Sequence, residues 1–153
     1  MKFFTLSSVL LFACFLPLST NNARTTSVIT PFDEYGNICW EDEQARLDNF
    51  AIQIQKDPTL VGYIVVYAGR ISCLDESKYR GNRARNHVLK RGVDPKRVIF
   101  KDGGYRTDIQ TVLHLQPKDE PDYEINPGLK KDEVLIKRCF DKVFAKVLCL
   151  NKQ

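Results

Sequence analysis

The chain has 153 residues, 43% of them hydrophobic and 27% charged, with a formal net charge of +4 at pH 7. That length suits one domain and excludes a large multi-domain machine. Six Tyr, Trp40 and nine Phe exclude a disordered tail, and so mild a charge does not by itself point to nucleic acid.

Lys2 opens a short positive region, and Phe3 to Leu18 is then almost wholly apolar and free of charge. About 16 residues is short for a membrane span and suits a secretory signal. Residues 1–23 are therefore expected to be a signal peptide and 24–27 a polar linker, leaving a mature part of about 130 residues. The expected location is the periplasm or cell envelope. Leu11-Phe12-Ala13-Cys14 also has the form of a lipoprotein signal, so acylation at Cys14 stands beside ordinary cleavage near Ala23 or an uncleaved leader. No later segment approaches span length, so no transmembrane helix is expected in the mature chain.

Export makes disulfides permissible for Cys39, Cys73, Cys139 and Cys149. No Cys-x-x-Cys occurs, which argues against a thioredoxin-like site. With only His87 and His114 and no finger spacing, no metal or cofactor is expected. Cys139 and Cys149 on one straight helix would stand roughly 15 Å apart, beyond disulfide reach. Cys39 and Cys73 both fall in loops beside helix starts and are the expected pair.

Val28 to Phe32 reads as a first or edge strand, Pro31 arguing against a central place. Asp33 to Asn37 reads as a turn. Trp40 to Gln55 has helical period, with Ala45, Leu47, Phe50, Ala51 and Ile54 inward and Glu41, Asp42, Glu43, Arg46, Asp48 and Gln53 outward. Asp57-Pro58 ends that helix. Tyr63 to Ala68 is nearly continuous apolar, as expected of a strand covered on both faces. Gly69 to Ser72 is a loop and Leu74 to Lys90 a second helix, whose inward Gly81, Ala84 and Val88 allow close approach to the sheet. Gly92 suits the position after a helix end.

Arg97 to Lys101 is a third strand, Gly103-Gly104 a turn and Thr111 to Leu115 a fourth strand. The order β-α-β-α-β-β implies an α+β domain over 28–115. Its pairing is at least partly parallel, with both helices on one sheet face. Residues 116–128 hold Pro117, Pro121 and Pro127 and read as a linker. Residues 129–153 read as an amphipathic C-terminal helix, Lys130 to Leu150. That helix can pack on the open sheet face, dimerise or engage a partner.

The run from Leu47 to Gly104 resembles the OmpA-like peptidoglycan-binding family. The matching features are a first helix ending at Pro58, the strand Tyr63 to Ala68 and a second helix with Arg80. The best match is Arg91-Gly92-Val93-Asp94-Pro95-Lys96-Arg97-Val98, which has the form of the family's Gly-Val-x-x-x-Arg-Ile phrase. Leu47 to Ala51, Gly62 to Tyr67 and Asp102 to Arg106 look like a divergent exported bacterial branch. The resemblance implies an OmpA-like sandwich and a role in binding peptidoglycan or another envelope component. In the family an aspartate after the second strand meets the ammonium of diaminopimelate, and an arginine in the second helix meets its carboxylate. Arg80 stands where that arginine would be. Gly69, followed by Arg70, stands where the acid would be, and Asp75 or Glu76 are the acids nearest to replace it.

Arg80, Arg83 and His87 share one helical face within the basic run Lys78 to Arg85. As a site they would take a carboxylate or a cell-wall polymer; as plain structure they are a solvated face. Export and the lack of basic–aromatic interleaving argue against RNA. Tyr105-Arg106 would either reach the rim at Gly69 or serve turn chemistry. Glu41, Asp42 and Glu43 are explained by the helix dipole, and no Ser-His-Asp group, phosphate loop or Cys-His dyad carries catalysis. The expected role is non-catalytic binding or scaffolding. The alternative is an interaction module that keeps the fold without the ligand site.

Overall fold

A computed structural model describes residues 30–139, which form an α+β fold. The first β-strand, β1, is Asp33–Tyr35, followed by helix α1, Trp40–Lys56. Strand β2 is Leu60–Ala68, and a short strand β3, Ile71–Cys73, follows it directly. Helix α2 is Glu76–Lys90, then come β4, Val98–Tyr105, β5, Gln110–Pro117, and β6, Leu135–Lys137. The main sheet runs β1-β5-β2-β4, and β3 pairs with β6 in a separate two-stranded sheet.

The continuous apolar run of β2 is explained by its central place. It pairs parallel with β4 and antiparallel with β5, and it is covered on both faces. Ile64 and Val66 face the helices, in a core with Leu47, Phe50, Ala51 and Ile54 of α1 and Ala84 and Val88 of α2. Tyr63, Val65 and Tyr67 face the other way with Val112, and Tyr123 packs against them. Gly81 lets α2 press on the sheet, since a Cβ there would lie 2.0 Å from the Phe100 ring.

Several expectations need correction. Among the described residues the first strand is Asp33–Tyr35, just past the Val28 to Phe32 expected. Phe32 donates its N–H to Leu113 O at 2.8 Å, and pairing with β5 then runs through Tyr35. Val28 and Ile29 lie outside the described residues. Ala45 is exposed, whereas Glu43 is buried on the inward stripe. The second helix begins two residues late because Asp75 takes a left-handed φ of 58°.

Gly103-Gly104 is not a turn. The register slips between Val66 and Tyr67, so β4 carries a bulge there, with Gly104 at φ 81° and Gly103 against the Tyr67 ring. The chain turns instead at 106–109. Residues 116–128 are more than a linker. Tyr63 donates its O–H to Asp122 Oδ1 at 2.8 Å and Lys101 bonds Tyr123 O at 2.8 Å, which lays this segment across the open sheet face.

The C-terminal helix does not begin at Lys130. Lys131–Glu133 is a 3-10 turn and Leu135–Lys137 is β6, in parallel register with β3. Helical period on one segment is outweighed here by pairing with a distant one. Residues 140–153 of that expected helix lie outside the described residues. The expected Cys39–Cys73 bond is also corrected. Cys73 is joined to Cys139, with Cα atoms 5.5 Å apart, and β6 brings the two together. Among the described residues, no helix is long and apolar enough to cross a membrane.

Candidate functional site

The expected corner lies where β2 ends and α2 begins. Gly69 is buried beneath the 106–109 turn, and a Cβ at that position would stand 3.2 Å from the Ile109 main-chain nitrogen. The close approach of two backbones therefore accounts for glycine at 69. Arg70 is exposed, and its main chain ties two segments together: its N–H donates to Thr107 O and its carbonyl accepts from Leu135 N–H at 2.8 Å.

Arg80 is held on both sides. Its Nε donates to Glu76 Oε1 at 3.1 Å and its Nη2 to Asn37 Oδ1 at 2.9 Å, leaving the side chain 11% exposed. Glu76 Oε2 in turn accepts the Cys73 N–H at 3.0 Å. Asp75 does not join this group; it bonds Lys78 at 3.0 Å on the exposed side of the helix.

Arg83 reaches across to α1. Its Nη2 bonds Glu43 Oε2, and its guanidinium lies 4.2 Å over the Trp40 ring. Burial pushes the Glu43 carboxyl above the usual carboxylate range, and Arg83 and Arg80 oppose that rise. His87, four residues on, bonds Asp48 Oδ1 at 2.7 Å, and Arg91 grips the same carboxylate with two bonds. The Arg91 and His87 bonds hold the Asp48 carboxyl below its ordinary value.

The structure thus brings Arg80, Arg83 and His87 onto one face, as their spacing implies, but that face meets α1 and the loop before it. Each of the three has a partner within the fold. Among the described residues no side-chain hydrogen bond or ion pair joins Gly69 or Asp75 to them. Arg106 does reach the Gly69 end through its N–H to Ala68 O at 2.9 Å, while its guanidinium lies 3.6 Å over Tyr67.

A groove of about 700 Å³ runs along the α1–α2 seam, lined by Trp40, Tyr79, Asn82, Arg83, Asn86 and Lys90 among others. Sequence reasoning picked out only Arg83 and His87 of its lining. Asn82 and Asn86 stand four residues apart and so share a helical face, a signal that was present. Among the described residues no group of His, Cys, Asp and Glu could hold a metal ion.

Compared with known proteins, the chain matches no family model, no curated protein and no solved structure.

Proposed function

We propose that the chain is an exported, non-catalytic binding or scaffolding module of the cell envelope. It is built on an OmpA-like fold whose diaminopimelate corner has closed on itself. The observation that carries this reading is Arg80. A zwitterionic ligand end needs an anion and a cation held apart, each with bonding capacity to spare. Arg80 instead spends its guanidinium on Glu76 and Asn37. Gly69 offers no acid, and the Ile109 backbone crowds the place where one would stand.

A second reading keeps peptidoglycan as the ligand but moves it to the α1–α2 groove. There, Trp40 and Tyr79 offer rings, and Asn82 and Asn86 offer amides that both donate and accept. The test is co-sedimentation with purified peptidoglycan sacculi of the chain from Arg24 onward, beside Arg80→Ala, Asn82→Ala and Asn86→Ala. Pelleting no greater than that of a neutral control protein supports the module reading. Pelleting lost with the asparagines and kept in Arg80→Ala supports the groove. Pelleting lost only in Arg80→Ala, with an unchanged melting curve, overturns the proposal.

A further inference from the structure

Seven large hydrophobic side chains are exposed among the described residues, and three of them fall on the small β3–β6 sheet and its edge. Ile71 is 64% exposed, Leu74 57% and Leu135 56%. Ile71 and Leu135 are register partners in a parallel ladder, so their side chains project from the same face. Leu74 is bonded to the same strand through its N–H to Lys137 O at 2.9 Å. On the opposite face, Ser72 is buried and Ile136 half-buried. The other four exposed residues, Phe32, Ile52, Tyr79 and Ile125, are scattered over other elements.

A two-stranded sheet of three-residue strands is marginal by itself. The Cys73–Cys139 bond and Leu135 N–H to Arg70 O hold β6 on β3, and Arg70 N–H to Thr107 O ties β3 to the turn at 106–109. The apolar face is therefore held in place rather than left to collapse inward.

Charge surrounds it with one sign in excess. Within residues 70–74 and 129–138 stand Arg70, Lys130, Lys131, Lys137 and Arg138, against Asp132 and Glu133. All five cations are exposed, and none forms an ion pair among the described residues. Glu133 is occupied at the Lys130 N–H, and Asp75 beside Leu74 is taken by Lys78.

We propose that this face docks on an anionic lipid surface, with Ile71, Leu74 and Leu135 entering the interface and the five cations meeting the headgroups. Exposed apolar patches mark protein or membrane contacts. Exposed cations on and beside the two strands, with no ion pair among the described residues, select the anionic membrane, because each gains near a negative surface while its charged head stays in water. The inference does not depend on the OmpA-like reading.

The test is vesicle flotation of the chain from Arg24 onward, which retains every described residue. One vesicle set contains phosphatidylglycerol with phosphatidylethanolamine, and the other contains phosphatidylcholine only. Binding is expected to the first set, weakening with salt, and not to the second. Ile71→Glu with Leu135→Glu should lower partitioning about tenfold or more, and Lys137→Glu with Arg138→Glu should do the same. Leu74→Glu, in the turn, serves if the strand variants fail to fold by circular dichroism. Absence of binding to the anionic set, or equal binding to both sets, overturns the proposal. So does binding indifferent to these substitutions, or a dimer in light scattering that Leu135→Glu dissolves, which would make a second protein copy the occupant.

Discussion

Glu43 of α1 and Arg83 of α2 are bonded across the helix seam, with Glu43 only 3% exposed. The same carboxylate accepts the Tyr35 O–H at 3.3 Å, so one buried acid joins β1, α1 and α2. Burial, followed by the charge of Glu43, pushes the Tyr35 hydroxyl above its ordinary value. Removing one partner leaves the other charged and dry. Arg83→Met should cost roughly 3–5 kcal/mol in chemical denaturation, because Glu43 is then uncompensated. Glu43→Gln with Arg83→Met together should cost clearly less than the sum of the singles. A double-mutant cycle with no coupling would remove the pair from the list of structural ties.

The Cys73–Cys139 bond closes a loop with a sequence separation of 66, for which chain entropy alone gives roughly 4 kcal/mol. Cys73→Ser or Cys139→Ser should therefore lower stability by about 2–4 kcal/mol under oxidising conditions. Reduction of the wild type should bring its midpoint to that of the variants. Non-reducing peptide mapping should recover Cys73 linked to Cys139. A Cys39–Cys73 peptide would instead restore the pairing expected from loop positions.

That pairing shows where sequence legibility stops. The two helices, the central strand and the single helical layer were readable because each depends on local period and burial. Glu43 was misread although its signal was present: it lies four residues before Leu47, on the apolar stripe. What was not readable is Arg83, forty residues away, which makes burial of that acid tolerable. The β3–β6 pairing is likewise non-local. Helical period from Lys130 onward was real, but it cannot announce a strand that forms only against Ile71–Cys73. At the candidate site, spacing placed Arg80, Arg83 and His87 together correctly. It was silent on their partners, and those partners decide whether the cations are available to a ligand.

Gly81 carries a prediction about packing rather than conformation. A methyl group there would meet the Phe100 ring at 2.0 to 2.7 Å, closer than atoms can stand. Gly81→Ala should gain helix propensity of at most about 1 kcal/mol, yet lose more through the forced displacement, for a net cost of about 1–3 kcal/mol. Phe100→Leu in the same chain should recover part of that loss. Equal or higher stability of Gly81→Ala alone would mean that α2 can lift off β4 freely.

His114 sets the expected response to acid. It is 2% exposed, lies opposite Tyr63 on β2 and has its ring 4.1 Å from that of Tyr123. Among the described residues its Nδ1 has no hydrogen-bond partner, and burial lowers its pKa below the ordinary value. Burial also pushes the Tyr63 hydroxyl up to about 12, helped by its bond to Asp122. Lys101 and Asp122 are paired at 3.0 Å beside Tyr63, the register partner of His114. A lowered histidine pKa means that the unfolded chain binds more protons than the folded one once pH falls below about 6.5. Stability should then decline from pH 6.5 downward, by no more than about 1.4 kcal/mol per pH unit from this group. Glu43, whose pKa is raised, acts with the opposite sign above the carboxylate range. Asp122 and Asp48 are held low by their cations and lose their contribution only below about pH 4. Comparing wild type with His114→Gln between pH 7 and 5 isolates the imidazole. The wild-type curve should fall relative to the variant's across that window, and parallel curves would show that His114 takes up its proton as readily inside the fold as outside it.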